Sequence, residues 1–172
     1  CGGLDAALST AGTRATMASG VNLTCTSGEL AFDANDVWLD MDVASSISQN
    51  SGSTVTGDRI KMTNGSITIT GLNSSNFVIN SDDVLIDNMN FDLSAANNFE
   101  IGTAAATYSR IAIINSDVVS YSYSVSSFFA SFVTDLILVN NKLLGGDPAE
   151  SPAQTTSRLE NITRMIYGGN HA

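Results

Sequence analysis

The 172-residue chain carries seven Lys plus Arg against 17 Asp plus Glu, a net charge of -10 that argues against nucleic acid or an anionic membrane as partner. Only 14% of its residues are charged and 43% are hydrophobic, which suits one domain with a sizeable core. No apolar run reaches the ~20 residues needed to span a bilayer, and the sequence has no glycine-rich phosphate loop, nucleophile motif or Cys/His metal spacing.

In chain order, the first element expected is a short helix. Leu4, Ala7, Leu8 and Ala11 share one helical face, Asp5 suits the first turn, and Gly12 can end it. Residues 1–20 then read as a cap and first-turn entry, and 21–172 as a repeat expected to continue beyond Ala172 or to be covered there by a partner. Cys1 is compatible with a lipidated N-terminal residue or with a disulfide to Cys25, which otherwise reads as a small buried side chain.

From residue 36 onward the chain repeats. One column reads Asp36, Arg59, Asp83, Arg110, Asp135, Arg164, with opposite charges alternating at intervals of 23, 24, 27, 25 and 29 residues. Each charge is followed by apolar residues at period two, then often by Asn and a further apolar residue: Ile60-Met62-Asn64-Ile67, Val84-Ile86-Asn88-Phe91, Ile111-Ile113-Asn115-Val118 and Leu136-Leu138-Asn140-Leu143. Val37-Leu39-Met41-Ala44 opens the series and Met165-Tyr167-Gly169-Ala172 closes it in weaker form. Period two means strands with one face buried, and a strand every ~25 residues means a solenoid of stacked turns. Equivalent residues then lie ~4.8 Å apart, where alternating charges attract and set register. The Asn ladder of Asn64, Asn88, Asn115 and Asn140 is expected inside the core, bonding to backbone groups freed at a bend.

With these columns the chain resembles the pectin-lyase-like right-handed parallel β-helix superfamily, and most of all the β-helix domains of phage tailspikes, fibres and other virion appendages. The resemblance implies an all-β fold of about six turns under a short N-terminal capping helix. It also implies a rigid rod on a virion or at an extracellular surface, with other virion proteins or a host-surface polysaccharide as partners, and a homo-oligomer, by analogy a trimer.

The remaining features are local. The outward positions of the repeated strand turn apolar toward the C-terminus, and Leu85, Ala112, Ile114, Ile137, Val139 and Ile166 are the expected interface. Between residues 145 and 157 the turn formers predict a protruding loop. In the aromatic stretch 121–132, Tyr121 and Tyr123 are candidates for stacking on a glycan, whereas Phe128 and Phe132 are expected in the core, Phe128 in line with Phe77 and Phe99.

Catalysis in this superfamily calls for a base such as Arg beside Asp-bound calcium, or for paired carboxylates. The candidates are Asp82, Asp83, Asp87 and Asp92 with Arg110, but Asp83 and Arg110 are claimed by the charge column, and no catalytic residue, cofactor or metal site is assigned. His171, the single His, lies in the final turn. The four Asn-X-Ser/Thr sequons are expected by chance in so Asn- and Ser-rich a chain. The reading is a structural or adhesive rod. A polysaccharide lyase or glycoside hydrolase with part of its site elsewhere is the alternative, and ice binding through Ser66-Ile67-Thr68-Ile69-Thr70 a weaker one.

Overall fold

The computed structural model describes residues 1–26, 29–71, 75–93, 98–102, 106–120, 128–145 and 157–171. They form a parallel β-solenoid of about five turns behind one short helix. All strand pairs are parallel and in register, each strand bonded to its counterpart one turn away.

Three faces alternate along the chain. The first holds β1 (Arg14–Met17), β4 (Trp38–Met41), β7 (Lys61–Thr63), β10 (Val84–Asp87) and β13 (Ile111–Ile114). The second holds β2 (Asn22–Cys25), β5 (Ser46–Gln49), β8 (Ser66–Ile69), β11 (Asn90–Leu93), β14 (Asp117–Ser120) and β16 (Lys142–Gly145). The third holds β3 (Leu30–Phe32), β6 (Ser53–Val55), β9 (Phe77–Ile79) and β12 (Phe99–Ile101). In the last turns one long strand runs from the third face into the first, β15 (Phe128–Val139), and β17 (Ser157–Gly168) pairs along it.

The burial pattern has the period of two that the repeats predict. Ile60, Val84, Ile111 and Leu136 point inward in one column, and Met62, Ile86, Ile113 and Leu138 in the next, all at most 1% exposed. On the second face Ile67, Phe91 and Val118 form the expected inner column. Its slot in the preceding turn belongs to Ile47, because the bend after Met41 is longer there; Ala44 lies exposed in that bend. On the third face Phe77, Phe99 and Phe128 stack with near-parallel rings, centroids 5.1 and 5.6 Å apart. Phe91 meets Phe77 and Phe99 edge-on from the opposite wall.

Helix α1 (Gly2–Leu8) packs on β1 and β3. Leu8 is fully buried and Leu4 and Ala7 half-buried, whereas Ala11 is exposed beyond the helix end. The helix closes at Ser9, and Gly12, four residues past Leu8, has φ 74° in the following turn. Asp5 accepts a hydrogen bond from the Ala31 N–H (3.3 Å), satisfying a donor on the edge of β3. A Cys1–Cys25 disulfide, Cα atoms 5.4 Å apart, ties the helix start to β2.

The Asn ladder is placed differently from expectation. Asn64, Asn88, Asn115 and Asn140 occupy the outer side of the bend between the first and second faces, at φ of 51–61°, and all but the half-buried Asn64 are exposed. Asn tolerates this left-handed conformation better than most residues. Their amides bond sideways to one another and to Asp87. The internal polar ladder lies one residue later. Asn141 is fully buried; its Oδ1 accepts the Ser116 N–H (2.9 Å) and its Nδ2 donates to the Ile113 carbonyl (2.8 Å). Asn170 repeats the motif one turn on, accepting the Asn141 N–H (2.9 Å) and donating to the Leu138 carbonyl (2.7 Å). Ser116 continues it downward by accepting the Met89 N–H (3.1 Å).

This offset separates two adjacent residues by effect. Asn141→Ala leaves buried backbone groups without partners and should cost about 1–3 kcal/mol. Asn140→Gly keeps the left-handed bend and should change stability by less than about 0.5 kcal/mol. Chemical denaturation of both variants measures the difference, and equal losses would contradict this placement.

Candidate functional site

The bend leading into the first face carries the charge column. Asp36, Arg59, Asp83 and Arg110 have φ of 58–62°, so their side chains project from a left-handed corner toward solvent. Asp135 and Arg164 stay in register across β15 and β17, but there the left-handed residues are Phe132 (φ 55°) and Asn161 (φ 52°). The corner has moved three residues upstream, which is why these strands run on without a break. Phe132 is accordingly half-buried at a corner, outside the stack that contains Phe128.

The column resolves into three bidentate pairs. Arg59 donates from Nε and Nη2 to Asp36 (2.5 and 2.8 Å), Arg110 does the same to Asp83, and Arg164 to Asp135 (2.5 and 2.7 Å). Each Arg thus grips the Asp of the preceding turn, and the next Asp interacts with it only through space, as Asp83 does with Arg59. The Arg59 bond holds Asp36 below the usual carboxylate range, and the Arg110 bond does the same to Asp83. Arg59, Arg110 and Arg164 are pushed up in turn by their Asp partners.

Beside this column run the outward positions of the first face. The nearer one reads Arg14, Trp38, Lys61, Leu85, Ala112, Ile137, Ile166, and the next Thr16, Asp40, Thr63, Asp87, Ile114, Val139, Gly168. The N-terminal half is a closed polar cluster. Arg14 lies 3.8 Å and Lys61 4.2 Å from the Trp38 ring centroid, so cations cover the ring. Trp38 Nε1 donates to Thr63 (3.0 Å), Thr63 donates to Asp40 (2.9 Å), and Arg14 pairs with Asp40, whose carboxyl it holds below its ordinary value.

The C-terminal half is a groove. Leu85, Ala112, Ile137 and Ile166 form its floor, the pairs Asp83/Arg110 and Asp135/Arg164 form one wall, and the space between holds about 690 Å³. Ala112 is the small residue in a column of large ones and leaves a notch between Leu85 and Ile137. Met165 is 46% and Ile166 61% exposed. All four floor residues were legible as an apolar column, and the groove brings them against the charge column. Ile114 and Val139 sit in the adjacent column.

The other carboxylates are distributed along the stack. Asp82 accepts from the Ser109 N–H and hydroxyl (2.7 and 3.1 Å), continuing a ladder in which Asn35 serves Asp58 and Asp58 serves Asp82. That ladder escaped the sequence reading because Asn, Asp and Ser share its slot. Asp87 accepts from Asn115 (3.0 Å). Asp92 is half-buried between Thr68 and Val119, with no carboxylate beside it in the column and no partner for its Oδ1 among the described residues. Hydroxyls occupy the rungs Thr24, Ser48 and Thr68 before Asp92 interrupts them. Tyr121, Tyr123 and the loop 146–156 lie outside the described residues. Among those described, no three His, Cys, Asp or Glu side chains gather in a metal-binding group.

The depressed carboxyls set the sign of the pH dependence. Their stabilisation is complete above the unfolded Asp value of about 3.9 and is lost as pH falls through the lower folded values. Thermal melts should therefore be level between about pH 7 and 5 and fall below about pH 4, with a smaller acid loss in Asp83→Asn; a flat profile into strong acid would contradict the pairing. No protein-family model, curated protein or solved structure matches the chain, so its function has to be read from these columns.

Proposed function

We propose that the chain is a structural and adhesive β-solenoid, of the kind that builds a virion appendage or a surface adhesin, and that it works through contact by its faces and loops. The observation that carries this reading is the groove on the first face. It is a concavity of about 690 Å³, its floor is apolar, and the ionic groups on its wall are already bonded to each other. Such a surface suits a packed contact with another protein surface.

Carbohydrate cleavage would need an acid or base free to exchange a proton with the substrate. Asp83 and Arg110, the candidates at the groove, are displaced by their mutual pairing away from neutrality in opposite directions. Asp82 and Asp87 are bonded within the stack, and Asp92 has no carboxylate beside it in its column.

The test is incubation with acidic and neutral polysaccharides over a range of pH, with and without calcium, followed by assays for new reducing ends and unsaturated sugars. Neither product is expected, and Asp83→Asn should lower the melting temperature without altering that result. Turnover abolished by Asp83→Asn or Arg110→Lys would overturn the proposal in favour of a lyase or hydrolase.

A further inference from the structure

Resting on the contact role of the groove, we infer that its partner is a second copy of this chain, running antiparallel, with a two-fold axis between the rungs of Ala112 and Ile137.

Across the groove the wall reads Asp83, Arg110, Asp135, Arg164 and the floor reads Leu85, Ala112, Ile137, Ile166. An alternating series of even length is complementary to its own reverse. Turned about that axis, Asp83 meets the partner's Arg164 and Arg110 meets the partner's Asp135, with the reciprocal pairs generated by symmetry. Each of these arginines uses Nε and Nη2 within its own chain. A guanidinium has five N–H donors, so Nη1 remains to reach across.

The same operation matches the floors. Ala112 faces the partner's Ile137, a small residue opposite a large one, and its notch receives that side chain. Leu85 faces the partner's Ile166, the most exposed residue of the floor and otherwise left against water. In the adjacent column Ile114 faces the partner's Val139.

Other arrangements fail on the same columns. A two-fold axis along the solenoid reverses the strand direction: centred on the charge column it opposes Asp to Asp and Arg to Arg, and centred on the floor it sets Arg110 against Ile114 and Asp135 against Val139. A parallel neighbour offset by one rung restores opposite charges, but such a contact does not close and would build an open filament. An antiparallel axis one rung earlier keeps the charges matched while setting Ile137 against the partner's Lys61 and burying an ammonium on an apolar floor. The axis between Ala112 and Ile137 satisfies charge, volume and closure together.

Sedimentation equilibrium should give a dimer of two 17.9 kDa chains. Single-cysteine variants then locate the axis, because the native cysteines are joined to each other. Ala112→Cys and Ile137→Cys, mixed and mildly oxidised, should cross-link to each other, while each alone should stay uncross-linked. Ile137→Glu should weaken association at least tenfold without changing the far-ultraviolet spectrum, and if that variant misfolds the cysteine pair still decides. A monomer at all concentrations, a trimer, or cross-linking of Ala112→Cys to itself would overturn the antiparallel pair. A trimer would leave the contact role of the groove standing, and glycan turnover would remove that role whichever way the chains associate.

Discussion

Everything in this molecule depends on in-register parallel stacking. Because each strand bonds to its counterpart one turn away, every side chain has its equivalents directly above and below at about 4.8 Å. A residue is thereby judged by its column more than by its neighbours in sequence. Phe over Phe over Phe stacks with rings 14–15° from parallel. Asp over Asp would repel, and the column alternates. Amide over amide passes a hydrogen bond sideways, as Asn88 does to Asn64 at 2.8 Å.

Stacking also explains residues that local conformation disfavours. Asp and Asn are at home in a left-handed corner, but Arg59 and Arg110 hold φ of 61° and 58° with no intrinsic preference for them. Their placement follows from the ion pair one rung away. Where the chain moves the corner to Phe132 and Asn161, Asp135 and Arg164 keep their pairing without the left-handed backbone. The pairing outlives the bend, so the charges mark register and do not define the corner.

This explains which parts of the structure were legible. Inner columns of Ile, Leu, Met and Val, the Phe stack, the charge alternation and the apolar shift of the outward face all recur as a residue class at nearly regular intervals, and each is visible in the sequence. The internal polar ladder has no single residue type: the slot holds Gly65, Met89, Ser116, Asn141 and Asn170, and only the last three place a polar side chain in it. The Asn series beside it is the one the sequence displays, and it lies on the outer side of the bend. In a bend, a displacement of one residue exchanges inside for outside, and Asn140 and Asn141 are adjacent while one is exposed and the other buried. Ile47 displaced Ala44 from its column for a related reason, since a bend of different length breaks the interval while the strand register survives.

The pairs that make the stack specific also bear on the chemistry of its groove. An acid or base used in catalysis is tuned toward the working pH, usually by burial or by a like charge that raises a carboxyl or lowers a cation. The charge column does the reverse: an opposite charge one rung away pushes Asp83 down and Arg110 up, and both side chains stay in contact with water. Alternation that prevents repulsion along the column thus favours the charged forms of Asp83 and Arg110. What remains is a surface of ordered opposite charges beside an apolar floor.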